Sequence, residues 1–270
     1  MKLLTSAKIN LNLQIFPEKK DNFHKLSTMM IPINIFDELE IEESSEDLIK
    51  FSDRNLNNIE STIHKALKLL RKTNPQFDKK FYINVEKIIP YNSGLGGGSS
   101  DAGAVIRHLC DVYQLDLPAN IDIVREVGSD VPFFVKGVAS KVEGIGEIVN
   151  PIEIDKDLDL LIAVPKIGLS TKEVFNAFDN LISNTRELFL WEGLEIFNDL
   201  WSASVSIYPE IKIIKESLEE KYENRFFMSG SGSSFFSIID KTQDINLKED
   251  SLNFIQVSKK IDCSLYQNDD

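Results

Sequence analysis

The sequence predicts a two-lobed α/β fold of mixed α+β type. Three observations carry that expectation. Strand-like alternating segments interleave with amphipathic helix-like segments along the chain. One strand-like and one helix-like segment are joined by a run of glycines, within "IPYNSGLGGGSSDAGAV" at 89–105. The chain has 270 residues, which exceeds the ~100–200 of an average domain and leaves two lobes or one large domain. Composition shifts near Asn150–Asp157, which puts an N-terminal lobe at 1–150 and a C-terminal lobe at 151–270.

Each element has a local reason. In "AKINLNLQIF" the residues Ile9, Leu11, Leu13 and Ile15 share one strand face. "DNFHKLSTMMIPINIFDELEIEE" reads as a polar turn with two strand-like runs. "STIHKALKLLRKT" sets Ile63, Ala66, Leu67 and Leu70 at helical spacing, with Ser61 at the N-cap. Phe81, Ile83 and Val85 alternate as a strand ahead of the glycine run, and Ala102, Val105, Ile106 and Leu109 form a helical face behind it. A short helix in "NIDIVREVG", the apolar run "VPFFV", a hairpin turning near Gly144 and Gly146, and a buried strand "DLLIAVP" follow. Helices are expected over Lys172–Leu181, Arg186–Leu200 and Glu210–Lys221. "RFFMSGSGSSFFSII" reads as strand, Ser/Gly turn, strand, and the tail "QNDD" as frayed.

Composition narrows the function classes. The net charge is -13, which repels phosphate backbones and argues against nucleic-acid partners. The two cysteines, Cys110 and Cys263, suggest neither a metal site nor a disulfide framework. The N-terminal apolar run is broken by Lys8 and Asn10, unlike a signal peptide. No stretch reaches the ~20 apolar residues of a membrane span. A cytoplasmic protein without a membrane partner is expected.

A strand–glycine loop–helix unit exposes backbone N–H groups at a helix N-terminus, where they and the helix dipole favour an anion. Glycines permit left-handed dihedrals and close approach, and successive amides form an anion-binding nest. Ser99 and Ser100 add hydroxyls. Gly94, Gly96, Gly97 and Gly98 do not match G-x-G-x-x-G, and no lysine follows to make a Walker A loop. A tight turn with serine capping is the plainer alternative.

"PYNSGLGGGSSDAGA" resembles the phosphate loop of the galactokinase, homoserine kinase, mevalonate kinase and phosphomevalonate kinase (GHMP) superfamily. "AKINLNL" and "MSGSGSSFF" agree in order and spacing. "FHKLSTMM", "GSDVPFF", "GIGE" and "STKEVFNAF" narrow the resemblance to the branch acting on a cytidine diphosphate-linked methylerythritol. The resemblance implies two α/β lobes with the active site between them, ATP as phosphoryl donor with Mg²⁺, and a monomer or weak homodimer.

Site residues follow from the same resemblance. Lys8 and Asp130 are the catalytic pair, with Asp130 as general base. The plainer alternatives are a solvated strand lysine and a turn or cap aspartate. Gly94, Leu95, Gly96, Gly97, Gly98, Ser99 and Ser100 cradle phosphate. Lys87 lies beside adenine, unless it is an exposed strand-end lysine. Asn10 orients the substrate. Phe23 and Phe175 sandwich cytosine, His24 bonds its edge, and Thr171 belongs to the same pocket. Relatives carry an asparagine–leucine pair where this chain has Ser61, with Asn58 three residues early, and they have small residues in place of "YNS". Ser100 and the bound phosphates are the expected metal environment, without a protein ligand set. Another GHMP kinase, or an inactive binding protein of the same fold, are the alternatives.

Overall fold

The computed structural model describes residues 2–57, 59–117, 121–181, 185–239 and 251–268. Strands β1 (Lys2–Asn10) and β2 (Asn12–Lys20) each pair antiparallel with the long strand β3 (Phe23–Ser44). The β2–β3 turn is Asp21-Asn22 with both φ values positive, 52° and 66°. That conformation suits the twist of a two-residue hairpin and favours Asx residues. The two runs expected after this turn are one continuous 22-residue strand. Its distal part pairs with β5 (Lys80–Glu86), which pairs in parallel with β4 (Leu48–Phe51). Its proximal part pairs with β6 (Ser140–Gly144), which continues as a hairpin into β7 (Ile148–Pro151).

Helices α1 (Thr62–Thr73) and α2 (Gly97–Val112) cover one face of this sheet. Ser61 caps α1 in a reciprocal capping box with His64. Ile63, Ala66, Leu67 and Leu70 of α1 meet Ala102, Val105, Ile106 and Leu109 of α2, over Leu39, Ile83 and Val85 of the sheet. Short helices α3 (Ile121–Arg125) and α4 (Val131–Lys136) complete the layer. The apolar run "VPFFV" is therefore helical.

A second, antiparallel sheet is ordered β11-β12-β8-β13, from β8 (Asp159–Pro165), β11 (Phe227–Met228), β12 (Phe235–Ile238) and β13 (Leu252–Lys259). Helices α5 (Thr171–Asp179), α6 (Trp201–Ile207) and α7 (Glu210–Tyr222) belong to this half. Their Val174, Ala203, Ile211 and Leu218 share a core with Leu161, Ala163 and Phe235. The two sheets share another core, where Ile9, Leu11, Ile31 and Ile33 meet Leu160, Ile162, Val164 and Phe236.

One expected helix is absent. Residues 189–198 form a hairpin of β9 (Phe189–Trp191) and β10 (Leu194–Asn198), and β10 pairs in parallel with β2. Its loop is Glu192-Gly193, at φ 45° and 88°. A two-residue loop with both φ values positive needs glycine at one position. The aromatic and branched flanks Phe189, Trp191, Ile196 and Phe197 suit a pleated surface better than a helix. The chain also returns at its end: β14 (Leu265–Asn268) pairs with β1. Gln267 and Asn268 of the expected frayed tail are thus in register with Leu3 and Lys2, and 269–270 lie outside the described residues. The chain leaves the first sheet after Pro151 of β7, while 189–198 and 265–268 rejoin it.

The helical layer is drawn tight around Gly103 of α2. A Cβ there would come 2.6 Å from Phe134 Cβ and 3.1 Å from its backbone carbon. Glycine inside a helix normally costs ~1 kcal/mol against alanine, yet here alanine would push α4 away. Gly103→Ala is expected to lower stability by about 1–3 kcal/mol, the usual range for overpacking. Thermal or urea denaturation checks it, and a stabilised variant would contradict the α2–α4 contact.

Candidate active site

The glycine run becomes a loop because its ends are anchored and its middle cannot carry side chains. Gly94 and Gly96 have φ of 80° and 77°, a region that L-residues other than glycine adopt at a cost. Leu95 is buried, and its carbonyl accepts from Lys8 N at 2.9 Å, tying the loop to β1. Gly96 is the N-cap of α2 and has no side-chain cap, so the first-turn amides keep the donors a phosphate would take. Thr62 Oγ1 donates to Gly98 O. Ser100 is buried, and its hydroxyl donates to Ser6 O at 2.6 Å.

The unusual "YNS" also has a physical account. Ser93 Oγ donates to Pro90 O at 2.7 Å and accepts from Leu95 N at 3.4 Å. Ser93 O accepts from Ser234 N at 2.9 Å. Asn92 takes a left-handed φ of 53°, which asparagine tolerates. The serine hydroxyl braces the turn locally, and the backbone carbonyl of the same residue ties the turn to the second sheet.

Lys8 and Asn10 leave β1 on the face opposite Ile9. Both are buried. Lys8 Nζ donates to Asn10 Oδ1 at 2.5 Å and stands 3.5 Å from Asp130 Oδ2. Asn10 Nδ2 donates to Thr28 Oγ1 at 2.9 Å, which fixes the amide with its oxygen toward the lysine. Asp130 precedes α4, but its side chain makes no cap hydrogen bond. The plain capping role is therefore not the one this side chain performs. Its carboxylate is one-third exposed while Lys8 is 4% exposed. An open carboxylate beside a buried ammonium can accept a proton from a hydroxyl delivered through solvent-accessible space.

The "MSGSGSS" loop, 228–234, closes the other side. Asn10 N donates to Ser229 Oγ at 3.1 Å. Asn198 Nδ2 donates to Met228 O at 2.7 Å and to Gly230 O at 2.8 Å, holding the loop from β10. A Cβ on Gly230 would lie 3.2 Å from Asn10 Oδ1 and 3.3 Å from Lys8 Nζ. A Cβ on Gly94 would lie 2.5 Å from Ser229 O and 2.9 Å from Gly232 O. The phosphate loop, the lysine–aspartate pair and the second-lobe loop thus share one small region.

A second group gathers at the β2–β3 hairpin. His24 is stacked on Phe175, with ring centroids 6.0 Å apart and planes 23° apart, and meets Phe178 edge-on at 5.7 Å. Its Nδ1 is 2.9 Å from Phe16 O and its Nε2 is 2.6 Å from Asp179 Oδ1. The expectation that His24 bonds a base edge meets a ring whose nitrogens are both engaged by protein. The hydrogen bond from Lys19, and then that from His24, hold the Asp179 carboxyl below its ordinary range, against the desolvation that would raise it. Phe23 projects from the hairpin with 57% exposure, and the Arg125 guanidinium lies 5.1 Å from its ring centre. Thr171 Oγ1 and Ser231 Oγ are 2.8 Å apart, linking α5 to the 228–234 loop.

Lys87 is placed differently from either expectation. It is neither an exposed strand-end lysine nor open to a base: its side chain is 9% exposed and sits between Asp37 and Asp101. Among the described residues no cluster of three or more His, Cys, Asp or Glu could hold a metal. Ser100 already donates its proton to Ser6 O.

The family model for the GHMP kinases N terminal domain matches residues 61–138, which span α1, the phosphate loop, α2 and Asp130. Together with the relatives that follow, this match defines a small-molecule kinase of the GHMP class. The 4-diphosphocytidyl-2-C-methyl-D-erythritol kinase of Desulfotalea psychrophila is 33% identical, over 95% of this chain and 89% of that protein. The protein of that name from Fusobacterium nucleatum is 32% identical, over 97% of this chain and 96% of its own length. The chain belongs to the 4-diphosphocytidyl-2-C-methyl-D-erythritol kinase family. A crystal structure of 4-(cytidine 5'-diphospho)-2C-methyl-D-erythritol kinase superposes with a TM-score of 0.73 at 28% identity, covering 89% of this chain and 90% of the other. A mevalonate kinase structure, at TM-score 0.58 and 17% identity, shares the fold.

Several contributors escape sequence reasoning. Thr28 and Ser229 bond Asn10 and Asn198 holds the 228–234 loop, and each is an ordinary residue in a strand or turn. Only the neighbouring glycines of "SGSG" hint at Ser229. Nothing local marks Asn198, which lies where a helix was expected.

The Gly94 contact predicts a measurable loss. Gly94→Ala forces a left-handed alanine, worth about 1–2 kcal/mol, and drives Cβ into two backbone carbonyls. Turnover should fall at least about tenfold, and the melting temperature by ~3 °C or more. Normal turnover would show that the two loops need not touch.

Proposed function

We propose that this chain transfers the γ-phosphoryl of ATP to the 2-hydroxyl of 4-diphosphocytidyl-2-C-methyl-D-erythritol. The products are the 2-phosphate and ADP, a step of non-mevalonate isoprenoid precursor biosynthesis. The observation that carries this reading is the Lys8–Asp130 pair, 3.5 Å apart, on the same side of β1 as the loop that Leu95 anchors. Phosphoryl transfer asks for positioning and charge stabilisation more than for covalent chemistry.

In this mechanism the α2 amides and the loop of Gly94–Ser100 hold the nucleotide phosphates. Mg²⁺ enters on the nucleotide as part of the substrate. Asp130 accepts the proton of the acceptor hydroxyl. Lys8, oriented by Asn10, supplies positive charge beside that hydroxyl. Phe23 and Phe175 flank the cytosine. His24, held by Phe16 O and Asp179, supports Phe175 by stacking. Its role is thus to set the aromatic wall, while Thr171 lines the approach from α5.

The test offers purified protein ATP, Mg²⁺ and the cytidyl substrate, with mevalonate and homoserine as comparison acceptors. ADP release with the cytidyl substrate alone is expected. ADP only with mevalonate would reassign the substrate, and none with any acceptor would reduce the chain to a binding protein. Asp130→Asn should lower kcat by about 10²–10⁴-fold, the range for removing a general base, with substrate affinity little changed. Near-normal turnover would exclude Asp130 as the base. Phe175→Ala should raise KM for the cytidyl substrate about tenfold or more, in line with ~1–3 kcal/mol of stacking. ATP affinity should be unaffected, and an equal loss for both ligands would place Phe175 outside the cytidyl pocket.

A further inference from the structure

Lys87 lies directly beneath the phosphate loop. Its ammonium bonds Asp37 Oδ2 and, at 2.9 Å, Asp101 Oδ2. Asp37 and Asp101 are 0% and 1% exposed. The cluster ties together four parts of the chain. Asp37 belongs to β3, and its Oδ1 accepts from Ile88 N at 2.6 Å and Ile89 N at 2.8 Å, which pins the segment entering the loop. Asp101 belongs to α2, one turn beyond Gly97, and its Oδ1 accepts from Thr5 Oγ1 of β1 at 2.9 Å. Lys87 joins the two. A Cβ on Gly97 would stand 3.1 Å from Lys87 Nζ and 2.9 Å from Ile89 Cγ2. The first turn of α2 therefore rests on the lysine head and on the segment that Asp37 holds.

From this geometry we infer that Lys87, with Asp37 and Asp101, is a positioning device for the phosphate loop, acting on the nucleotide through the loop's amides without touching the nucleotide. The inference deepens the proposed kinase reading and rests on that loop binding a nucleotide. A buried ion cluster contributes little net stability over apolar packing but strongly specifies geometry when every member is bonded. Here both carboxylates and the ammonium are bonded, and the geometry specified is the spacing between the loop's entry and its exit.

The cluster also carries an electrostatic consequence. It holds two carboxyls for one ammonium. Burial first, and then the Asp101 charge, push the Asp37 carboxyl up to about 7, against the opposing pull of Lys87. The charged groups facing Asp37 are Lys87, from the segment after β5, and Asp101 of α2; β1 brings the uncharged Thr5 opposite it. As pH rises through neutrality, Asp37 loses its proton and the cluster gains one negative charge beneath an anion site. Phosphate binding should weaken in that window.

The experiment is calorimetric binding of ATP and of inorganic tripolyphosphate to the full chain, with kinetics alongside. Lys87→Met should weaken both ligands by the same factor, about tenfold or more given how steeply catalysis and binding respond to ~1 Å displacements. The KM of the cytidyl acceptor should stay unchanged. A loss for ATP alone would mean that Lys87 meets the base and would overturn the inference, as would unchanged affinity for both. Asp101→Asn keeps a complete hydrogen-bond set, because its oxygen can accept from Lys87 while its amide donates to Thr5. That variant decides the matter even if Lys87→Met fails to fold. The parent should lose ATP affinity several-fold between about pH 6 and pH 8 as Asp37 ionises, and Asp101→Asn should move that loss to lower pH. Equal pH profiles would refute the device. Because binding is measured without acceptor, failure of the acceptor assignment leaves this test intact, whereas a parent that binds neither ATP nor tripolyphosphate would overturn both.

Discussion

The structure depends on one close approach of backbone to backbone. Gly94 leaves no room for a Cβ between itself and the carbonyls of Ser229 and Gly232. That contact brings a loop of the first sheet against a loop of the second, across the side chains of Lys8 and Asn10. Much of the local sequence serves it. Ser93 bonds Ser234, Asn198 holds the far loop by two carbonyls, and Gly230 makes space for the lysine head. Side chains at these positions would separate the sheets and open the cleft.

Burying a lysine there requires compensation, since an unpaired ammonium away from water is costly. Lys8 has Asn10 as a hydrogen-bond acceptor and Asp130 as a charge partner, and Thr28 keeps the asparagine amide from turning. Lys87 meets the same cost with two carboxylates. Two buried ammoniums thus flank the phosphate loop. One faces the cleft beside an open carboxylate, and the other supports the loop from behind. The outward one can take part in chemistry, and the inward one can act only through the loop.

Much of this was legible in sequence. Alternation at Ile9 to Ile15 and Phe81 to Val85, the helical faces of α1 and α2, and the Ser61 cap are local patterns, and the structure retains them. The glycine run announced an anion loop because left-handed φ and open amides are backbone properties that glycine itself signals. The hairpin at 189–198 was read as a helix because its apolar residues fit either period. The deciding fact, pairing of β10 with β2, involves residues nearly two hundred positions away. The family resemblance assigns ligand contacts to Lys87 and His24, while the protein groups that meet their side chains come from segments distant in sequence.

The sequence by itself determined most of the element types, the unusual backbone of the glycine loop and the family. These follow from spacing and from residues whose conformational limits are intrinsic. Tertiary structure alone decided which polar groups face each other. It gave Lys87 to Asp37 and Asp101, gave both nitrogens of His24 to Phe16 and Asp179, and left the Asp130 carboxylate open beside Lys8. The reason is physical: a charged side chain settles where its desolvation is best compensated. The partners that compensate it come from strands and helices far apart in the chain.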